Sequence, residues 1–188
     1  MPDLFENRHW NIICQNVTNK CLNIFPDIKS KKLKSEIISN LFETQSEKYF
    51  NSIGIQTVSA ASDRDPDLFF LETNKPCEIK VTGIDHPIAN KCKWMGGKYS
   101  KRTSDFIFVI WNYQEPRTTL YGEKDESISF SVLNCFVDEN EWKVIDSGKN
   151  NYYATVFEST YLLNREYKSL VGQYDGTNFI LCEFEKNA

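Results

Sequence analysis

Apolar positions recur at helical spacing over the first quarter of the chain and at strand spacing afterwards. Trp10, Ile13, Val17, Cys21 and Ile24 form one apolar stripe, which predicts a helix over residues 3–25. Pro26-Asp27 interrupts it. The basic run Lys29–Lys34 then leads into a second predicted helix that reaches about Ser52. Its stripe holds Ile37, Ile38, Leu41, Phe42 and Tyr49. Gly54 is the expected stop.

From there the pattern changes to short β-type runs. Ile55–Ala60, Asp67–Glu72 and Cys77–Thr82 read as strands, the last two joined by a Thr73-Asn74-Lys75-Pro76 turn. Residues 83–104 are polar and irregular, with room for a short helix. Phe106-Ile107-Phe108-Val109-Ile110-Trp111 is an unbroken apolar run, expected as a strand buried on both faces. Farther on, Ser127–Val137 and Glu141–Asp146 read as a hairpin around Asp138-Glu139-Asn140. Tyr152–Glu158 reads as a strand, Ser159–Leu170 as a helix with Gly172 past its end, and Asn178–Phe184 as a closing strand. The expected fold class is α/β (α+β): a central mixed sheet flanked by helices, in one domain spanning 1–188.

Composition narrows the function classes. The 188 residues include 13 Phe, 9 Tyr and 4 Trp, a mixture that favours sheet. The formal net charge is −4, so a nucleic-acid surface must be a local patch. Six cysteines stand without a CxxC pair, and there are two histidines, His9 and His86. Zinc-ligand spacing is therefore absent, and the cysteines read as small buried hydrophobes of a reducing, cytoplasmic setting. There is no run of 18 apolar residues or leader-like segment, and no membrane association is expected. No Walker A loop or dinucleotide fingerprint is present, and His86 has no nucleophile signature beside it.

The chemistry concentrates at Pro66-Asp67 and Glu78-Ile79-Lys80. Ten residues separate Asp67 from Glu78, which suits a hairpin crossing. Strand alternation puts Glu78 and Lys80 on one face and Cys77, Ile79 and Val81 on the other. Two carboxylates and an ammonium on one sheet edge are costly to assemble unless a cation joins the acids. The other acid-x-Lys triplets lack this context. Asp27-Ile28-Lys29 lies between helices, and Glu166-Tyr167-Lys168 falls on the predicted helix. Glu141-Trp142-Lys143 has its upstream acids inside the turn. The bland alternative for Glu78 and Lys80 is a solvent-facing hairpin.

These residues resemble the signature of the PD-(D/E)XK nuclease superfamily, which includes most type II restriction endonucleases. The resemblance spans residues 36–111 and the order helix, three strands, loop, buried strand, similar to an αβββαβ core. It implies magnesium held by Asp67 and Glu78 with help from the Ile79 carbonyl, and Lys80 orienting or activating water. It also implies a glutamate from the preceding helix, with Glu43 the better match and Glu47 the alternative one turn on. Asp63 and Asp65 are further acids nearby. Asp67 is preferred for the Pro-Asp order and its hairpin distance. The implied activity is Mg2+-dependent, site-specific cleavage of double-stranded DNA by a homodimer, with residues 112–188 supplying recognition and dimerisation elements. The same core serves repair nickases and junction resolvases. A non-catalytic DNA-binding protein is the rival from another class.

A second cluster comprises Lys91, Lys93, Lys98, Lys101 and Arg102, interleaved with Trp94, Gly96-Gly97 and Tyr99. Basic groups release counterions on meeting phosphate, and glycines let backbone amides approach it. This segment, Tyr99 included, is the expected DNA contact. A solvated loop is its alternative.

Overall fold

In a computed structural model, the described residues are 7–61, 65–83, 93–95, 104–118, 124–146, 153–158, 170–174 and 179–183. Two helices open the chain, α1 (Asn7–Leu22) and α2 (Lys31–Ser52), with a 3-10 turn at Phe25–Asp27 between them. Trp10, Ile13, Cys14, Val17 and Cys21 of α1 are buried, as their spacing predicts. Ile24 is 39% exposed, because the helix has ended and the stripe no longer faces the core.

Ser30 caps α2, its Oγ accepting the Leu33 N–H at 3.3 Å. At the other end Gly54 adopts φ +85°. Its N–H bonds to the Asn51 carbonyl, and the Ile55 N–H bonds to the Phe50 carbonyl at 2.9 Å. This double closure is the Schellman arrangement, and the left-handed residue it requires is the predicted glycine. Phe50 and Ile55, which flank the closure, are both buried.

The strands are β1 (Thr57–Ser59), β2 (Leu68–Phe70), β3 (Lys75–Gly83), β4 (Lys93–Met95), β5 (Ser104–Thr118), β6 (Lys124–Val137), β7 (Lys143–Asp146), β8 (Tyr153–Glu158), β9 (Leu170–Tyr174) and β10 (Phe179–Glu183). Seven form a mixed sheet in the order β1-β2-β3-β5-β6-β9-β10. β3 and β5 run parallel, while every other pairing in this sheet is antiparallel. β4, β8 and β7 make a second, antiparallel sheet.

Both helices pack on one face of the large sheet. Phe42 meets Phe130 edge to face at a centroid distance of 5.2 Å, and Phe50 meets Phe70 at 5.4 Å. The core there includes Cys77, Ile79, Ile107, Val109, Trp111 and Val132. Near the start of α2, Ser35 accepts the Trp111 indole N–H at 2.9 Å. Trp111 pairs with Gly83 at the C-terminal end of β3, and Phe70 pairs with Lys75 at its N-terminal end. Helix α2 therefore runs antiparallel to β3, with its middle over the middle of that strand. Phe106 and Phe108 point to the opposite face, stacked at 5.4 Å, and Trp142 packs on Phe106 just before β7. The run Phe106–Trp111 is buried throughout, as expected.

Four expectations are corrected. The turn between β2 and β3 lies at residues 71–74 rather than at Thr73–Pro76, because Lys75 and Pro76 already pair with Phe70 and Phe69 as part of β3. Ser127–Val137 and Glu141–Asp146 do not pair as a hairpin. β6 already has β5 on one edge and β9 on the other, so β7 joins β8 in the second sheet. A 3-10 turn at Glu139–Glu141 redirects the chain, held by the Glu141 carboxylate accepting the Asp138 N–H at 2.8 Å. Gly172 is not past a helix end but inside β9, flanked by Val132 and Leu181. Leu170 likewise opens that strand, and the rest of the predicted helix, 159–169, lies outside the described residues. Within the stretch expected to be irregular, residues 93–95 form β4. Among the described residues no helix is long and apolar enough to cross a membrane.

Candidate active site at the end of strand β2

The site forms where β2 leaves β3. Leu68 pairs with Cys77, so continued pairing would set Asp67 opposite Glu78. Pro66 precedes Asp67 and offers no N–H to a ladder. β2 begins at Leu68 instead, and the Asp67 side chain takes over. Its Oδ2 accepts the Ile79 N–H at 2.8 Å. The Asp67 carbonyl in turn accepts the Ala60 N–H at 3.3 Å, which ties the residue to the end of β1.

Glu78 and Lys80 share a face, as alternation requires. Across the parallel pairing they stand beside Phe106 and Phe108. This aromatic flank strips water from Glu78, which is only 2% exposed. A carboxylate so buried needs a positive partner, and Lys80 supplies one. Its Nζ lies 3.1 Å from Glu78 Oε2 and 3.4 Å from Asp67 Oδ2. It also donates to the Ile79 carbonyl at 3.3 Å. Burial pulls the Lys80 pKa down, but Asp67 and Glu78 together outweigh it and hold the pKa above the ordinary lysine value.

Glu43 comes to this cluster from the middle of α2. Burial, then the Asp67 charge, pushes its carboxyl up to about 7, with a further contribution from Glu78. Ser39, donating to Glu43 Oε1 at 3.3 Å, and Lys80 act in the opposite direction. Glu47 is engaged elsewhere, accepting the Ser59 hydroxyl at 2.6 Å. Of the two helix glutamates, Glu43 is the one coupled to the sheet cluster. No motif in the sequence singles out Ser39, although its position one turn before Glu43 on the same helix face is a usable signal.

Asp67, Glu78, Ile79 and Lys80 are thus brought into direct contact, and Glu43 is linked to them by charge. Asp65 is exposed, and Asp63 lies outside the described residues. So do Lys91, Lys98, Tyr99, Lys101, Arg102 and His86. Lys93 opens β4, where its backbone pairs with Glu158. Among the described residues no group of three or more His, Cys, Asp or Glu side chains is arranged to hold a metal ion. The oxygen donors at the cluster centre are two carboxylates and one backbone carbonyl, a hard set suited to magnesium or manganese rather than to zinc. Cys77 is buried, and its thiol pKa is pushed up by that burial and then by the acids around it, Asp105 first. It offers no thiolate to the site.

Comparison with family models, with curated proteins and with solved structures returns no match. Function must therefore be read from the residues themselves.

Proposed function

We propose that this chain is a Mg2+-dependent, site-specific DNA endonuclease built on the PD-(D/E)XK core, most like a type II restriction enzyme. It would hydrolyse double-stranded DNA to 5′-phosphate and 3′-hydroxyl ends. The observation that carries this reading is the convergence of Asp67, Glu78 and Lys80 on the edge of β3 that β2 leaves open. The element order gives further support: α2, then β1 to β3, then a crossover to β5 lying parallel to β3. A parallel pair needs such a crossover, and the basic segment 91–102 falls within it.

The Asp67 and Glu78 carboxylates and the Ile79 carbonyl would hold the cation. When bound, magnesium supplies positive charge to a phosphoryl oxygen and acidifies a water. The protein's groups do the rest. Phe106 and Phe108 keep water from the back of Glu78, which strengthens every charge interaction there. Lys80 would hold the attacking water and offset negative charge growing on the phosphate. Glu43, titrating near neutrality, can hold or release a proton beside the cluster. Lys91, Lys93, Lys98, Tyr99, Lys101 and Arg102 would grip the DNA backbone. A homodimer acting on a two-fold symmetric site, in the cytoplasm, completes the proposal.

The test is digestion of long phage DNA with and without magnesium, with Lys80→Ala in parallel. Discrete fragments that need magnesium and vanish in the variant are expected. Absence of cleavage with magnesium or manganese, alongside retained DNA binding, would instead favour a non-catalytic binding protein.

A further inference from the structure

Three oxygens surround the Lys80 ammonium: Glu78 Oε2 at 3.1 Å, the Ile79 carbonyl at 3.3 Å and Asp67 Oδ2 at 3.4 Å. They come from the same three residues that the proposed function assigns to the divalent cation. An ammonium has three N–H donors and no acceptor, so one donor can serve each oxygen. The two acids are held close with one almost wholly buried, an arrangement that needs a positive charge between them.

We infer that Lys80 is the internal counter-ion of this site, and that its ammonium competes directly with a divalent cation for the Asp67, Glu78 and Ile79 oxygens. The inference rests on the metal-site reading and adds what governs its occupancy. A divalent cation held by Asp67, Glu78 and the Ile79 carbonyl would draw on the same lone pairs and the same negative charge that the ammonium now uses. Two positive charges sharing those oxygens also repel. The ammonium would be displaced from these oxygens when a divalent ion is bound. Its four-carbon stem is flexible, and the side chain is 18% exposed, which gives it an outlet. Lys80 thus holds the carboxylates in place for the metal and at the same time weakens its binding.

The experiment is a Mn2+ titration of the full chain without DNA, following free Mn2+ by electron paramagnetic resonance. Wild type, Lys80→Met, Lys80→Arg and Asp67→Asn are compared. Lys80→Met should bind Mn2+ about ten-fold more tightly than wild type, whereas Lys80→Arg, which keeps the charge, should not. Without metal, Lys80→Met should melt below wild type, and Mn2+ should raise its Tm by more than it raises the wild-type Tm. Should Lys80→Met fail to fold, Lys80→Gln gives the same two readouts. Equal Mn2+ affinity in wild type and the neutral variant, with binding lost in Asp67→Asn, would overturn the counter-ion role and leave the metal site standing. Mn2+ binding that is absent, or indifferent to Asp67→Asn, would overturn the metal site itself.

Discussion

The Asp67 carboxylate accepts the backbone N–H of Ile79 at 2.8 Å, so a side chain continues a strand pairing that the backbone has abandoned. Asp67 consequently has two duties, satisfying a backbone donor and contributing charge to the cluster. Substitutions separate them. Asp67→Asn keeps an acceptor oxygen and should fold with near wild-type stability while losing cleavage. Asp67→Ala leaves the Ile79 N–H without that acceptor and should cost about 1–3 kcal/mol. Urea denaturation of both variants checks the difference, and equal stabilities would contradict it.

Glu43 gives the site a pH signature. Its folded pKa of about 7 lies above the ordinary value of 4.5. Between these values the folded state holds a proton that the unfolded state has released, so this group's contribution falls as pH rises through the window and is flat above it. Glu43→Gln removes the penalty. It should match wild type near pH 4 and exceed it by about 1–2 kcal/mol at pH 8, after discounting for solvent screening. Denaturation curves across that range measure the gap, and a gap that stays constant with pH would assign Glu43 an ordinary pKa.

Gly83 is required by close approach rather than by backbone conformation. A Cβ there would lie 2.9 Å from Trp111 Cζ2, and the Trp111 indole is fixed by Ser35. Gly83→Ala should destabilise by about 1–3 kcal/mol through overpacking. Combining it with Trp111→Phe should recover part of that loss, which thermal melting would reveal.

On the proposed function, the basic residues of the 91–102 segment should act on DNA through their charge. Neutralising Lys98, Lys101 and Arg102 together should weaken binding to all sequences alike and flatten the salt dependence. The slope of log K should fall by about one unit for each phosphate that is no longer neutralised. Titrations at several salt concentrations read the slope directly. An unchanged slope would make the segment a solvated loop.

The helices and the strands around the site were legible because each carries a local signal. Helical periodicity and Gly54 define α2, and alternation assigns Glu78 and Lys80 to the face opposite Ile79. The apolar run at Phe106–Trp111 announces a central strand. The second half was harder to read. Strands there can pair in several ways, and the choice depends on which edges are already taken. β6 is enclosed by β5 and β9, a long-range fact that no window around Asp138 contains. Gly172 reads as a helix stop locally and is a strand residue because sheet neighbours flank it on both sides.

By itself the sequence determined which residue types could form a charged cluster, and placed Asp67 one hairpin away from Glu78 and Lys80. Ten residues between two acids, a turn and a period of two are enough for that. Only the tertiary structure decided that Glu43 rather than Glu47 is coupled to the cluster, since the choice depends on how α2 lies across β3. It alone decided that Phe106 and Phe108 desolvate Glu78, and that one ammonium meets three oxygens. The first two are relationships between segments far apart in the chain, and all three exist only once the sheet has assembled.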